Sequence, residues 1–440
     1  MSVQFLHISD LHLGSQLKTK VSDTVGSIDA LDSAVYIAVE RLFEIAVDEG
    51  VDFVVIAGDL YDMDSRSVKA NKFLKEQFDR LAEHDIPVYI VYGNHDPVGS
   101  APTYIDLPDN VYEFDDEEPE EFLYPNEHAP KARIWGQSYR SRHESRSFYH
   151  RFTPSDGSLP NIGVIHTALN PDGRRYVPVS RSDLESKSEI DYWALGHIHT
   201  ANIYNTEMPI AYSGVPQGRQ ITEQGLGGGL LVELDVDGDY EIEFVPTSPV
   251  VWKTVEVDVG GEDIVSIPDI ERQIEQKIDD LSLPDDLFDE IDIKLRDTDW
   301  SVEGYVCRWK LVGNGPVYET LSKDEEVIHE VTQRLRDKLS SRYPFFWTEA
   351  VRDETGPPIP SVEELRGNDR VIDEYLEYIE DLDKDEVREQ YRGVVGEVWE
   401  WIEDHEEREP DKLPLTEEGF DELIDRAQKR VFEELARRRA

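Results

Sequence analysis

Five short apolar runs in this chain each end in an aspartate, an asparagine or a histidine. With the residues that follow, they read HISDLHLG, IAGDLYD, YGNHDP, GVIHTAL and ALGHIHT. Apolar runs of this length, bounded by glycine and polar residues, predict buried strands. In Asp-x-His and His-x-His, two side chains one residue apart point the same way at a strand end. Each such pair is therefore able to bind one metal ion.

The residue types at these strand ends are those that bind divalent metal ions. Taken singly, each motif is weak, because a lone histidine at a strand end is more often a core or loop residue. The ordered set instead predicts a site for two ions about 3.5–4 Å apart, bridged by a carboxylate. We assign the bridge to Asp59. The expected ligands of one ion are Asp10, His12 and His199, and those of the other are Asn94, His166 and His197.

The stretch YGNHDP carries two further polar groups beside Asn94. His95 is predicted to stabilise the phosphoryl oxygens of a substrate or to protonate the leaving oxygen. Asp96 is predicted to orient His95 as part of the catalytic pair. The alternative for Asp96 is a turn-stabilising role before Pro97.

The order of strands and helices predicts an α/β protein. Strands and helices alternate up to about Val111, with helices expected over 33–48 and 68–84, and short strands follow. This pattern predicts a two-sheet sandwich with α-β-β-α layers. The expected domains are a metal-binding domain over 1–250, a small β-α-β-β cap over 251–355 and a charged helical region over 356–440. An apolar stripe from Phe420 to Leu435 fits either a partner helix or intramolecular packing.

The charge of the chain bears on its solvent more than on its partners. Asp and Glu total 95 against 45 Lys and Arg, a net charge of −50. Spread over the whole length, this excess predicts a protein from an extreme halophile, in a salt-saturated cytoplasm. A single cysteine, Cys307, excludes an internal disulfide framework and is expected to be a buried thiol. No apolar run predicts a membrane helix or a signal peptide, so a cytoplasmic protein is expected.

One segment reverses the acidic balance. Between residues 131 and 151, basic residues and aromatic side chains are set against the single acid Glu144. We expect this island to contact a phosphate backbone, and the alternative is pairing with acids from other segments. Arg174, Arg175 and Arg181 extend the expected surface. The predicted substrate-binding residues are Arg133, Arg140, Arg142, Arg146 and Arg151, with Arg219 nearer the metals.

The motif set resembles the calcineurin-like metallophosphoesterase superfamily over about residues 1–245. Within it, HISDLHLG and IAGDLYD are similar to the DNA-repair nuclease branch of SbcD and Mre-eleven proteins. IDYWALGHIHT and YSGVPQGRQITEQGLGGGLLVEL are most similar to the YhaO-type exonucleases of that branch. The resemblance implies two manganese ions, with magnesium as the alternative. It also implies DNA as a partner, a homodimer, and C-terminal helices that dock an SMC-like ATPase of the SbcC type.

One position departs from the archaeal branch. Archaeal Mre-eleven proteins typically carry a histidine three residues after the Gly-Asp aspartate, where this chain has Asp62. The predicted function is metal-dependent hydrolysis of DNA phosphodiester bonds during double-strand-break repair. Two alternatives remain: a phosphatase or phosphodiesterase of small molecules, and a non-enzymatic subunit that tethers DNA.

Overall fold

The computed structural model describes most of the chain up to residue 358. The described ranges are 2–19, 29–62, 67–99, 107–154, 157–170, 175–204, 208–279, 293–322 and 325–358, with residues 374, 377, 426, 427, 430, 431 and 434. The predicted helical region over 356–440, including most of the stripe from Phe420 to Leu435, lies outside them. No helix within the described ranges is long and apolar enough to cross a membrane.

Seven strands form the first large sheet. In spatial order they are β14 (Lys294–Leu295), β12 (Tyr240–Pro246), β11 (Gly228–Asp235), β1 (Ser2–Ile8), β2 (Phe53–Ala57), β3 (Val88–Val91) and β4 (Val111–Glu113). From β1 to β4 the strands run parallel, whereas β11 pairs with β1 and with β12 antiparallel. The carboxyl ends of β1, β2 and β3 therefore share one edge of the sheet.

Six strands form the second large sheet. Their spatial order is β5 (Glu120–Tyr124), β6 (Ala132–Gly136), β7 (Asn161–His166), β8 (Tyr192–Gly196), β10 (Ile210–Tyr212) and β9 (Asn202–Tyr204). The four central strands run parallel, and β5 and β9 close the two edges antiparallel. The strands that end in His166 and in Gly196 are neighbours, so their carboxyl ends also lie together.

Alternate residues of the central strands face opposite layers. Phe5 and Phe53 point between the two sheets, where their rings stack at 5.1 Å, and they pack against residues of the second sheet such as Tyr192. Leu6 and Val54 point the other way, into a cluster shared with the two long helices, α1 (Asp29–Asp48) and α2 (Val68–Glu83). Burial on both faces explains why these strands read as continuous apolar runs. The predicted two-sheet sandwich is confirmed.

Helix positions follow from local signals. The side chain of Ser67 accepts a hydrogen bond from the amide of Ala70, which caps α2 one residue before its predicted start. The outer face of the second sheet carries less helix than the first. On that face Trp193 packs in a cluster formed by loop residues and two short helices. These helices are a 3-10 helix over Tyr149–Arg151 and α3 (Arg181–Glu185).

The chain divides into two compact units. The first comprises Met1–Val255, Leu281–Arg308 and Arg334–Ala350, and the second comprises Glu256–Asp280, Trp309–Gln333 and Val351–Ala440. All strands of the two large sheets, within the described residues, belong to the first unit. The predicted three-domain boundaries at 250 and 355 stay a prediction.

A third sheet has the strand order β13 (Val250–Asp258), β15 (Gly304–Val312), β16 (Phe345–Asp353). The intervening helices are α4 (Ile267–Asp279), α5 (Tyr318–Leu321) and α6 (Glu325–Leu339). The region differs from the predicted β-α-β-β unit, because Lys294 and Leu295 of IDIKL pair with β12 in the first sheet. An ion pair of 2.6 Å between Lys294 and Glu243 supports that register. Cys307 on β15 is buried, as expected.

Candidate metal centre

The loops that follow β1 and β2 are joined through their backbones. The amide of Asp10 donates to the carbonyl of Gly58 (2.9 Å), and the amide of His12 donates to the carbonyl of Asp59 (3.0 Å). Asp10, His12 and Asp59 have left-handed backbone, with φ of 53°, 44° and 55°. Such conformations cost of order 1–3 kcal/mol each, and they persist where surrounding contacts fix them, often at functional sites.

The first group of candidate ligands is Asp10, His12 and His199. Nε2 of His12 lies 3.4 Å from Nε2 of His199. Oδ1 of Asp10 lies 3.8 Å from the first of these nitrogens and 3.7 Å from the second. This oxygen is buried and accepts no hydrogen bond from the described residues. Two ring nitrogens and a bare carboxylate oxygen that face the same space fit a divalent cation.

The second group adjoins the first through Asp10 and Asp59. Asp10, Asp59 and His166 bring donor atoms within ligand reach of one another. Oδ2 of Asp59 lies 3.4 Å from Nε2 of His166 and 3.9 Å from Nε2 of His12. One carboxylate oxygen thus stands between a histidine of each predicted ion. The chain therefore holds a candidate dinuclear site, as the sequence predicted.

Asn94 and His197, the other predicted ligands of the second ion, lie beside the second group. Oδ1 of Asn94 lies 3.0 Å from Nε2 of His166 and 3.0 Å from Nδ1 of His197. Both rings therefore direct a nitrogen toward one amide oxygen. His197 itself has left-handed backbone with φ of 100°, and its amide donates to Oδ2 of Asp10 (2.9 Å). These bonds bring the loop after β8 against the loop after β1.

Hydrogen bonds to the far nitrogens fix the orientation of two ligand rings. Nδ1 of His166 lies 2.9 Å from the carbonyl of Ala57, and Nδ1 of His199 lies 2.9 Å from Oε1 of Glu223. Because both partners are acceptors, each Nδ1 carries the proton and each Nε2 presents a lone pair to the site. Glu223 was not predicted from the sequence, because no local pattern distinguishes it among the 95 acidic residues.

Burial and neighbouring charges set the protonation of the cluster. Burial opposes ionisation of Asp59, but His166 and His12 outweigh it and hold the pKa of Asp59 below its ordinary value. Burial alone would lower the pKa of His166, but the charge of Asp59 outweighs burial, so the pKa of His166 is raised to about 9. Burial lowers the pKa of His197 to about 3. The ionised carboxylate suits a bridge, and a cation bound at His166 would displace a proton.

His95 lies at the edge of this cluster, with its ring 4.9 Å from that of His12. Its amide donates to Oδ1 of Asp59 (2.8 Å), and its Nδ1 lies 3.1 Å from Oδ1 of Asp62. The hydrogen bond to Asp62 raises the pKa of His95 and lowers that of Asp62. The side chain is partly exposed. Position 62, marked as a departure from the archaeal branch, thus supplies the partner of His95.

Asp96 does not orient His95. Its Oδ2 accepts from the amides of Leu60 (2.6 Å) and Tyr61 (3.3 Å), and its Oδ1 accepts from the amide of Gly93 (2.9 Å). The side chain is buried and joins the loop after β3 to the loop after β2. Of the two roles considered for Asp96, the structure shows the turn-stabilising one. Its carboxylate is occupied by backbone donors, and Asp62 stands beside the ring instead.

The predicted basic island is largely paired with acids. Arg146 donates hydrogen bonds to both carboxylate oxygens of Glu144, and Lys131 lies 3.9 Å from Asp52. The remaining partners come from the acidic run over 116–121. They pair Arg133 with Glu121, Arg140 with Asp116 and Glu117, and Arg151 with Glu118. The alternative considered for these arginines, pairing with acids of other segments, holds for three of the five, and Arg146 pairs with the acid of its own segment, Glu144. Arg142 is exposed, with no ion pair to the described residues.

Arg219 lies beside the metal centre, as expected from its place in GVPQGRQ. Its Nη1 is 3.8 Å from Oδ2 of Asp62, and its Nη2 is 3.7 Å from Oε1 of Glu223. The guanidinium is buried, and its Nε has no hydrogen-bond partner among the residues described. It therefore sits between the carboxylate that holds His95 and the one that holds His199. A cation so placed adds to the positive potential that an anionic substrate meets.

Comparison with known proteins relates part of the chain to a known family. Residues 3–201 match the calcineurin-like phosphoesterase model. The chain is 39% identical over 259 residues to the uncharacterized metallophosphoesterase YhaO of Bacillus subtilis, covering 58% of this chain and 63% of that protein. It is 24% identical over 290 residues to the DNA double-strand break repair protein Mre11 of Sulfurisphaera tokodaii, covering 60% and 65%. The alignments thus span less than two thirds of either relative.

A solved structure, of a dimetal phosphatase from Danio rerio, aligns with 55% of this chain and 95% of its own at 14% identity, with a TM-score of 0.34. That likeness is too low to bear on function. The matched segment 3–201 contains all seven predicted ligands, and they converge at the carboxyl ends of five strands in the two large sheets. Residues 3–201 are thus similar to the calcineurin-like phosphoesterase family.

Proposed function

We propose that this protein is a metal-dependent nuclease that hydrolyses DNA phosphodiester bonds. The observation that carries the proposal is the convergence of two ligand groups around Asp59, with His95 at their edge. The similarity to relatives named as DNA double-strand break repair proteins supports DNA as the substrate. Manganese is the proposed metal, with magnesium as the alternative, because the resemblance to the metallophosphoesterases implies it.

Two divalent ions held by these residues would supply Lewis-acid charge and a water of lowered pKa. The protein contributes position and protons. Asp59 and Asp10 fix the spacing of the ligand groups, and the neutral amide of Asn94 limits the negative charge that a phosphate meets. His95, held by Asp62, lies partly exposed at the edge of the cluster. There its ring is placed to donate to a phosphoryl oxygen or to the leaving oxygen.

The partners are proposals that rest on family resemblance. A homodimer and docking of an SMC-like ATPase of the SbcC type by the region 356–440 follow from the resemblance to the SbcD and Mre-eleven branch. YhaO-type proteins suggest a different, membrane-associated ATPase as the alternative. Most of that region lies outside the described residues.

The test compares two substrates in molar KCl with manganese. We expect cleavage of duplex and single-stranded DNA as well as turnover of bis-p-nitrophenyl phosphate. His95→Gln should lose about 10²–10⁴-fold in rate, as expected for a group that transfers a proton, while manganese binding by calorimetry is retained. Brisk turnover of the model diester without DNA cleavage would exclude the nuclease. DNA repair that survives His95→Gln would favour the DNA-tethering alternative.

One observation favours a phosphodiesterase of small molecules as the second candidate. Four of the five arginines predicted to contact a phosphate backbone are paired with acids. That pairing removes part of the charge support for a polymeric substrate. A small diester would need only the metal centre with Arg219 and His95. The comparison of substrates separates this candidate from the nuclease.

A further inference from the structure

Two exposed arginines, Arg142 and Arg175, have no acidic partner among the described residues. Arg142 and Arg175 are both exposed, and neither forms an ion pair with the part of the chain that the structure describes. The neighbouring arginines that the structure describes have partners: Arg140 lies 3.2 Å from Asp116, and Arg181 lies 2.7 Å from Glu185. In a chain of net charge −50, two adjacent segments that each expose an unpaired guanidinium stand apart from their surroundings.

The segment that carries Arg175 is tied to the metal centre. Thr167, which directly follows the candidate ligand His166, donates through its hydroxyl to the carbonyls of Val177 (2.9 Å) and Tyr176 (3.1 Å). The ring of Tyr176 lies 4.3 Å from the ring of the candidate ligand His197. Tyr176 therefore forms the boundary of the centre on this side. Arg175, one residue earlier in the chain, begins the surface beyond it.

The segment that carries Arg142 pairs with this one. The amide of Glu144 donates to the carbonyl of Arg175 (2.9 Å), and the amide of Val177 donates to the carbonyl of Glu144 (2.9 Å). Both bonds belong to a short parallel bridge between Glu144 and Tyr176. Arg142, two residues before Glu144, thus lies in the segment that this bridge joins to Arg175. The buried Glu144 carboxylate turns inward to Arg146 and leaves the two exposed guanidinium groups uncompensated.

The acidic run explains why the other arginines do not extend this surface. Asp116 and Glu117 form ion pairs with Arg140, and Glu118 forms an ion pair with Arg151. The backbone of the run is itself anchored, since the amide of Ser138 donates to the carbonyl of Asp115 (3.0 Å). An anion that approached Arg140 or Arg151 would have to displace a carboxylate. At Arg142 and Arg175 it would displace no carboxylate of the described residues.

We propose that a nucleic-acid strand leaves the metal centre across Tyr176 and lays its phosphates along Arg175 and Arg142. The proposal rests on the proposed nuclease function and adds the direction in which the substrate extends. We name the strip formed by Tyr176, Arg175 and Arg142 the exit strip. Its two guanidinium groups are suited to phosphodiester oxygens, which they bind through paired N–H donors. Arg140 and Arg151 are not part of it, although they lie in the same predicted island.

Two double variants with the same change in net charge test the exit strip. The first is Arg142→Gln with Arg175→Gln, and the matched control is Arg140→Gln with Arg151→Gln. Binding of a fluorescent single-stranded oligonucleotide would be measured with EDTA present, over the range of KCl in which circular dichroism shows each variant folded. Because each variant loses two positive charges, a difference between them reports local contact and not total charge.

We expect the exit-strip variant to bind about tenfold more weakly, and its salt dependence to fall by about 1.4 in slope, at about 0.7 per phosphate contact. The control should bind as the unaltered protein does. Equal weakening of both variants, or weakening of the control alone, would overturn the exit strip. Loss of the proposed function looks different: the unaltered protein would then turn over bis-p-nitrophenyl phosphate but neither bind nor cleave the oligonucleotide.

Discussion

At the scale of single residues, the metal centre depends on carboxylates that hold histidines. Asp62 holds the catalytic candidate His95, and Glu223 holds the candidate ligand His199. A histidine with one nitrogen bound to a carboxylate has a fixed tautomer and a fixed ring plane, so its second nitrogen faces one direction. This arrangement explains how a partly exposed ring such as His95 remains aligned beside the cluster.

Replacing Asp62 by Asn should shift the pH dependence of catalysis. The hydrogen bond to Asp62 raises the pKa of His95, so removal of the carboxylate should lower it. If protonated His95 donates in the reaction, activity is present below its pKa and lost above it. The alkaline limb of kcat/KM for bis-p-nitrophenyl phosphate should therefore move about one unit lower in Asp62→Asn, the usual size for loss of one charged partner.

Asp96→Asn is the matched control for this prediction. Asp96 is buried but bonds to the backbone amides of Leu60 and Gly93, not to His95. Asp96→Asn should lower the melting temperature without moving the alkaline limb. An alkaline limb that stays in place in Asp62→Asn, or moves equally in both variants, contradicts the assignment of Asp62 as the partner of His95.

Removal of Glu223 should weaken metal binding. Without its carboxylate, Nδ1 of His199 loses its 2.9 Å partner and the ring is free to rotate. Loss of such a partner typically costs about 10–100-fold in metal affinity. Calorimetric titration of Glu223→Ala with manganese should show that loss, and Glu223→Gln, which keeps an acceptor oxygen, should lose less. Unchanged affinity in Glu223→Ala would mean that packing alone orients His199.

The ligands could be predicted from the sequence because each follows an apolar run directly and belongs to a motif with fixed spacing. Asp62 and Glu223 could not be predicted in this way. Each acts only because the fold brings its loop beside a histidine that is distant in the sequence. His95 and Asp62 are separated by 33 residues, and His199 and Glu223 by 24. Among 95 acids, no local pattern marks the two that make these bonds.

At the scale of secondary-structure elements, the strands of the two large sheets meet where side chains are small. The Cα of Gly196, at the end of β8, lies so close to β2 that a Cβ added there would stand 1.9 Å from the carbonyl oxygen of Ala57. The same carbonyl is the partner of His166 Nδ1. The approach of β2, β7 and β8 that assembles the ligands therefore requires glycine at position 196.

Gly196→Ala should separate these strand ends. Because the clash is with backbone, it cannot be relieved by a rotamer change, and overpacking of this kind typically costs about 1–3 kcal/mol or more. We expect a lower melting temperature together with weaker manganese binding. Gly157→Ala serves as the control, since a Cβ there would meet nothing within 4 Å. Normal metal affinity in a folded Gly196→Ala protein would show that the strands tolerate separation.

Helices marked by an apolar face and a capping residue could be predicted more accurately than strands that pair with a strand distant in the sequence. The helix over Val68–Glu83 has both an apolar face and a Ser67 cap, and it was predicted closely. IDIKL was assigned to the small domain, yet its last two residues pair with β12, about 50 residues earlier along the chain. Helix α6 was not included in the predicted cap, although Val331, Leu335 and Leu339 are buried at four-residue spacing.

At the scale of the whole molecule, the net charge of −50 sets the conditions under which the fold is stable. Repulsion among surface carboxylates opposes the compact state unless counterions screen it. The arginines that pair with acids at the surface relieve this repulsion only locally, as where Arg140 lies 3.2 Å from Asp116. Such exposed pairs contribute about 0–1 kcal/mol each. Stability should therefore depend on the salt concentration more than on any single ion pair.

Lowering the KCl concentration should destabilise the protein steadily. The screening length is about 3 Å in 1 M salt and about 10 Å in 0.1 M salt, so dilution exposes carboxylates to one another over larger distances. The melting temperature measured by circular dichroism should fall at each dilution, and the protein should unfold at low salt. Tetramethylammonium chloride at equal ionic strength should protect equally if screening is the cause. A melting temperature that does not change with salt would show that the acidic surface is not an adaptation to saline solvent, and protection by KCl alone would indicate specific potassium sites instead.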